Sequence, residues 1–508
     1  MKKLFNTFLV LSLVVLSVSC NEDEFLEFQN TNGINPAVVA VTPDLQEGTV
    51  VATYAAFRSE GMYGRWGYFL EDHVSDEMTL SVAGQAQLQN ISDFLLDGSF
   101  SAPRQYYQAL YKGIARANFV IDGSKEWTTD PEFYEPLVAE AHFMRAVYYF
   151  RLATRYGDVP LKLGESTLGF QPKSPQSEIF NQVISDLEFA AEGMRTKAEQ
   201  SPGRANNETA YAMLGKTYLF TEQYDEAFNA LNKVTSYRLV DNYLDNFNVA
   251  GEFNDETLFE VEFSKGSTGG IWGNNDGNRN STPTLRSADY SGWSNSRVNP
   301  VMRAAYEDKA DGPAGKDPRF NFTWHIPGVS KWANGTRTWG DPQDPPLDNF
   351  GGSRSQNTTL RKYSTYIEDE VHTPDNGTNV RLLRYADVLL MKAEAELFRS
   401  GGSLSNAIAL MNQVRSRPSV DMPLYGSPEM NAAGFPVGSV DEAFRALIHE
   451  RRIELAGEGK RFLDLIRWGL DVEVLQESTP PIKPNYSASK RFLPIPTIQI
   501  DTNPLIND

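Results

Sequence analysis

The chain is 508 residues long with a formal net charge of −19, 47 lysines and arginines standing against 66 aspartates and glutamates. With no basic run to offset that balance, a nucleic-acid partner is excluded, because phosphate contacts need clustered lysine and arginine. Hydrophobic residues at 41% and charged residues at 22% describe a globular fold, while one cysteine and five histidines exclude an intramolecular disulfide and a Cys/His zinc site.

The first element is a leader. Lys2 and Lys3 precede an apolar run from Phe8 to Ser19 that ends in small residues immediately before Cys20. As a helix at ~1.5 Å per residue this run spans about 18 Å, short of a bilayer core of ~30 Å, so residues 1–19 read as a removable signal and not as an anchor. A cysteine directly after such a leader looks like a lipoprotein acceptor, with Leu16 one place early and Ser17 where leucine is usual. Residues 20–42 then form a tether that opens with the acidic run Asn21-Glu22-Asp23-Glu24 and is broken by Asn32-Gly33 and Pro36.

From Pro43 to about residue 237 the pattern is helical. Leu45, Val50, Tyr54 and Phe57 are the inward positions expected first, and the glycine-flanked aromatics from Tyr63 to Tyr68, Trp66 among them, read as a turn. Helices are expected over 104–124, 131–156 and 175–194; in the second, Ala139, Phe143, Ala146, Phe150 and Ala153 form a packing face that ends at Gly157. Tyr211, Leu214, Gly215, Tyr218, Tyr224 and Ala227 fall at tetratricopeptide spacings, and a looser second copy covers 382–416. The fold class expected is therefore mainly α, a tetratricopeptide-like helical repeat scaffold whose C-terminal part is residues 381–508.

Between the copies, residues 238–380 interrupt the scaffold. The interval opens with a strand-like Thr257 to Phe263 and becomes rich in Gly, Asn, Pro and Trp, so it reads as an inserted, irregular, loop-rich lobe. Five of the eight tryptophans, Trp272, Trp293, Trp324, Trp332 and Trp339, lie in it. Their neighbours are turn formers and amides, which suits sugars: C–H faces lie on a flat ring while hydroxyls need fixed donors and acceptors. The last helical stretch, Glu450 to Trp468, is two short helices hinged at Gly457-Glu458-Gly459. It places Arg451 inside the apolar stripe of Phe444, Leu447, Ile448 and Leu455. An arginine there needs carboxylates, and Glu450, Glu454, Glu458 and Asp464 are the near candidates for a structural ion-pair network.

No catalytic or metal motif survives inspection. Leu214-Gly215-Lys216-Thr217 ends like a phosphate loop, but Ala210 replaces its first glycine; HExxH and GxSxG are missing, and the alternating Asn274, Asp276 and Asn278 lack the glycine placement of a calcium loop. No catalytic residue, metal or cofactor is expected.

Four ordered stretches carry a resemblance: Glu450 to Trp468 (ERRIELAGEGKRFLDLIRW), Arg384 to Ala395 (RYADVLLMKAEA), Asp317 to Phe320 (DPRF) and Arg491 to Asn507 (RFLPIPTIQIDTNPLIN). Together they resemble the SusD/RagB family of surface nutrient-binding lipoproteins, and Tyr156 to Leu161 (YGDVPL) and Ser75-Asp76-Glu77 agree. The resemblance implies a glycan receptor held to the outer membrane by lipid on Cys20 and exposed at the cell surface. It also implies a TonB-dependent (SusC-like) transporter as partner, beneath the receptor, and it places the loop holding Asp72, Asp76 and Glu77 near the ligand. Stacking is expected from Trp272, Trp293 and Trp324, with Trp332 and Trp66 as further contributors, and polar contacts from Asp76, Asn274 and Arg297. Peptide binding, as in some members of that family, is the alternative, and a glycosidase the more distant one.

Overall fold

The computed structural model describes residues 35–80, 86–164, 167, 169–264, 282–283, 296–331, 338, 358–363 and 375–507. The leader, Cys20, the acidic run, Asn274 and the tryptophans at 272, 293, 332 and 339 lie outside the described residues.

The N-terminal scaffold contains α1 (Pro43–Tyr54), α2 (Ser101–Gly123), α3 (Pro131–Tyr156), α4 (Gln176–Gly193), α5 (Asn207–Phe220) and α6 (Tyr224–Leu231). Local signals set their ends. Asp130 accepts from the Glu132 amide ahead of α3, Pro131 takes the first position, where no amide is needed, and Gly157 leaves the helix at φ 73°. The expected face of α3, from Ala139 to Ala153, is buried throughout. In α1 the expectation needs a correction: Val50 is buried, but Leu45 is 40% exposed and Gln46 is inward instead. Gln46 is held there by hydrogen bonds to the Ala40 carbonyl and from Thr129, which stand in for the water it gives up on burial.

The two repeat units meet. α5 and α6 form the first hairpin, and at Gly215 any Cβ would stand 2.5 Å from Leu231 Cγ, so only a glycine permits this approach. The lobe's helices are α7 (Pro300–Ala305) and α8 (Pro318–Thr323). Beyond them, α9 (Tyr385–Phe398) and α10 (Leu404–Arg415) form the second hairpin, and Tyr224 of α6 packs on Phe398 of α9 with ring centroids 5.2 Å apart. α11 (Val440–Glu454) and α12 (Arg461–Arg467) follow, with shorter helices over Asp471–Leu475 and Thr497–Thr502 after them. Among the described residues, no helix is long and apolar enough to cross a membrane.

Six strands matter to the site: β1 (Met78–Leu80), β2 (Thr257–Val261), β3 (Ser296–Val298), β4 (Trp324–His325), β5 (Thr359–Leu360) and β6 (Val380–Arg384). β2 and β6 pair antiparallel, and Phe259 on β2 packs edge-on against Phe143 at 5.3 Å and Phe57 at 5.9 Å. The interval's entry and exit strands, β2 and β6, therefore pack with the helical core. All five residues of β2 are buried, a pattern that hydrophobic alternation alone does not announce. The lobe is organised by a four-stranded sheet in the order β1-β3-β5-β4, whose first strand comes from the N-terminal part of the chain. Its apolar side, with Met78, Val298, Leu360 and Trp324, packs with Tyr306 and Phe320 against Ile453 and Ala456 at the end of α11.

Candidate ligand-binding site

A buried ionic network holds the lobe on the scaffold. Glu450 accepts from Arg319 at 2.6 Å and Arg415 at 2.9 Å; Glu454 accepts from Arg319 at 3.2 Å, Arg384 at 3.2 Å and Arg417 at 3.1 Å. Glu458 takes Arg384 and Lys362, the latter at 2.7 Å, and Glu256 takes Arg384 and Arg417, each at 2.6 Å. Arg319 comes from the DPRF stretch and Lys362 follows β5, so each carboxylate of the Glu450 to Glu458 segment ties lobe to scaffold. Arg451 pairs with Asp464, one of the expected candidates, and also with Asp387, each at 2.9 Å; Asp387 lies on α9, too far away in sequence to be nominated by helical spacing.

The Ser75-Asp76-Glu77 loop belongs to the same framework. Gly457 and Gly459, at φ 74° and 71°, turn their amides onto Glu77 at 3.2 Å and Asp72 at 2.6 Å. Asp76, expected to accept from ligand hydroxyls, is 1% exposed and has both oxygens occupied, by Arg461 at 2.9 and 3.2 Å and by Arg452 at 2.9 Å. Those guanidinium groups hold its carboxyl well below the usual range against the opposing effect of burial. Asp76 is thus a structural anion, and the same kind of correction applies to two tryptophans. Trp324 is fully buried with its Nε1 donating to the Tyr306 hydroxyl at 3.1 Å, and Trp66 is 2% exposed with its Nε1 on Gln105 and Arg65 over its ring. Stacking needs a free ring face, which neither has.

Burial and the neighbouring Asp72 and Asp76 raise the Glu77 carboxyl to about 8, so it is neutral in the fold at pH 7 and ionised when unfolded. Folding then takes up a proton, and stability from this group declines as pH rises from about 4.5 towards 8. Glu77→Gln, which keeps the acceptor for Gly457, is expected to stabilise the protein by roughly 2–3 kcal/mol at pH 7. Thermal unfolding at pH 7 and pH 4 tests this: the gain should vanish at pH 4, and equal melting temperatures at pH 7 would refute it.

The other side of the lobe sheet is polar. The register pairs Thr79 with Arg297, Arg297 with Thr359, and Thr359 with His325, so these four side chains form one polar row across all four strands. Arg297 sits at the centre, half-buried, and its Nε and the Thr359 hydroxyl are buried with no hydrogen-bond partner among the described residues. Burial and the Arg361 charge push His325 well below its ordinary value, so it is a neutral imidazole. Leu80 and Ser296, which border the segments 81–85 and 284–295, are paired across this sheet, and Ser296 is fixed by a 2.8 Å hydrogen bond with His73. Of the expected site residues, Arg297 is thus half-buried beside Thr79, with Thr359 and His325 buried next to it, while Trp272, Trp293, Trp332 and Asn274 lie outside the described residues. The row's other members carry no sequence signal, since only strand pairing brings them together. A second concavity of about 770 Å³, walled by Tyr107, Tyr111 and Phe119 of α2 and by Phe170 from a loop, was also invisible in the sequence because only the fold brings these rings together.

The model described as SusD family matches residues 255–507, and one described as starch-binding associating with outer membrane matches residues 24–219. The chain belongs to the SusD family. A SusD-like protein, P25, of Formosa agariphila is 24% identical over 545 residues, covering 99% of this chain and 98% of its own. Among solved structures, a SusD superfamily protein from Bacteroides vulgatus superposes with a TM-score of 0.77 at 26% identity, covering 92% of this chain and 98% of that one. A laminarin-binding SusD-like protein superposes with a TM-score of 0.70, also at 26% identity, covering 91% and 97%. SusD proteins are non-catalytic carbohydrate binders associated with the outer membrane, built on the tetratricopeptide-like helical fold described above.

Proposed function

We propose that this protein captures oligosaccharide at the cell surface, held to the outer membrane by lipid on Cys20, and passes it to a TonB-dependent (SusC-like) transporter. The observation that carries the reading is Arg297, half-buried beside Thr79 on the lobe sheet, whose Nε has no hydrogen-bond partner among the described residues and suits a sugar hydroxyl. Family membership supports the ligand class, and the laminarin-binding relative is a neighbour of known ligand. Trp272, Trp293 and Trp332 are the stacking partners in this proposal, with Asn274 as a polar contact.

A glycan array on the mature body identifies the ligand, and calorimetry on Arg297→Ala then tests the site. Loss of two or more hydrogen bonds to a charged group is expected to weaken binding at least tenfold, about 1.4 kcal/mol or more, with the melting temperature unchanged. Unchanged affinity removes the sheet from the site, and binding of peptides in place of every glycan favours a peptide receptor. For the anchor, Cys20→Ala is expected to move the protein from detergent to the aqueous phase in a partition assay; retention in detergent would contradict lipidation. Alanines at Glu22, Asp23 and Glu24 should keep the anchor but reduce labelling of intact cells by an external antibody, and undiminished labelling would make the acidic run a plain linker.

A further inference from the structure

A cleft of about 1160 Å³ opens between the end of α7 with the following 306–316 loop, the 416–435 segment, and the outward side of α11. It is separate in its lining from the polar row. Arg452 and Arg461 lie at its floor, and the two guanidinium groups share one carboxylate, Asp76. Arg461 is 6% exposed, and its Nη1, like the Arg452 Nε, is buried with no hydrogen-bond partner among the described residues. Glu77 does not supply the missing charge: it is turned to the Gly457 amide, and burial keeps it protonated at neutral pH.

Of the five acidic residues in the lining, three are engaged, while Asp311 and Glu429 are exposed. Glu307 accepts from Arg415 and His449, Asp308 pairs with Lys316 at 2.6 Å, and Asp421 faces Lys309 at 3.7 Å. Arg445 adds a further exposed cation to the lining. The apolar part of the wall is Ile448 and Phe435. Ile448 was expected in the buried stripe of α11 but is half-buried at the cleft, one helical turn before Arg452; Phe435 stacks on His449 at 4.1 Å.

We infer that this cleft binds the carboxylate or sulfate group of an acidic sugar, the anion meeting Arg452 and Arg461 while the ring lies against Ile448 and Phe435. Paired guanidinium donors in a desolvated floor recognise planar or tetrahedral oxyanions far better than they do hydroxyls. The volume admits more than a bare ion. The sugar part of this inference rests on the glycan-capture reading; the anion part does not.

Calorimetry on the mature chain tests it with glucuronic acid, glucose 6-sulfate, glucose and inorganic sulfate as probes. Glucuronic acid or glucose 6-sulfate should bind at least tenfold more tightly than glucose and more tightly than inorganic sulfate, and the preference should shrink as salt is raised. Ile448→Glu places a carboxylate at i, i+4 to Arg452 and should abolish the preference, whereas Arg238→Ala, which removes an exposed cation outside the cleft lining, should keep it. Both variants leave Asp76, Arg452 and Arg461 themselves unaltered, so both should retain the parent's melting temperature. Equal binding of charged and neutral sugars, inorganic sulfate binding as tightly as the charged sugars, or tighter capture of an acidic peptide would each overturn the inference. The two readings separate cleanly: neutral glycans bound without any acid preference would sink the cleft and leave capture standing, and charged monosaccharides bound with every array glycan ignored would do the reverse.

Discussion

Arg384→Ala is expected to destabilise the protein by about 3–5 kcal/mol, enough to unfold a domain of marginal stability. Arg384 is 1% exposed and donates to Glu256, Glu454 and Glu458 at once, with a further hydrogen bond to the Glu454 carbonyl. Those three carboxylates keep other partners, Arg417, Arg319 and Lys362, but the centre of the array would be left one positive charge short in a site closed to water. The cost is the exposed imbalance, not the attraction lost between any one pair. Chemical denaturation of the soluble body measures it, with Arg238→Ala as the comparison: Arg238 pairs with Asp255 at 2.6 Å, yet the two side chains are 79% and 46% exposed, and the melting temperature should not move. A normal melting temperature for Arg384→Ala would show that the network rearranges without it.

The second large effect is acid unfolding. Arg384 with Arg417 holds Glu256 down to about 2, and Arg384 with Lys362 holds Glu458 to about 2, in both cases against the desolvation that burial imposes. Because these folded values lie below the ordinary glutamate range, the stability they contribute is complete above about pH 5 and is lost as pH falls towards 2. A tenfold change in proton affinity corresponds to about 1.4 kcal/mol, so each group contributes roughly 3 kcal/mol at pH 7, with less than additive effect because both depend on Arg384. Circular dichroism against pH should show a cooperative transition between about pH 4 and pH 2 that moves to higher pH in Arg384→Ala. A signal that declines evenly from pH 7 would point to exposed carboxylates instead.

How much of this was readable in advance varies with the range of the interaction. Helices, caps and the two repeat units follow from periodicity within a few dozen residues, and Gly215 and Gly157 were legible because each has a local consequence. The network was legible as a need, since Arg451 on an apolar stripe requires carboxylates, and Asp464 was nominated among them, but the other partners were not: Arg319, Arg384 and Asp387 arrive from other elements. Trp324 and Trp66 show the opposite failure. Turn-rich neighbours suggested exposed rings, while the rings fill the core and find partners for their indole N–H groups. Arg297 was nominated for its charge, and what sets it apart is the strand register that lines it up with Thr79, Thr359 and His325.

The bond from Gly457 to Glu77 joins residues 380 positions apart, that from Gly459 to Asp72 spans 387, and Lys483 reaches the His73 carbonyl across 410. A ribosome therefore delivers nearly the whole polypeptide before the early acidic loop can meet the groups that neutralise it. Until then three carboxyl groups crowd together at Asp72, Asp76 and Glu77 with nothing to draw them inward, and the final closure is a high-contact-order step that is slow by its topology. A nascent chain stalled anywhere short of residue 461 lacks its keystone, so C-terminal truncation would act on the first hundred residues as surely as on the last.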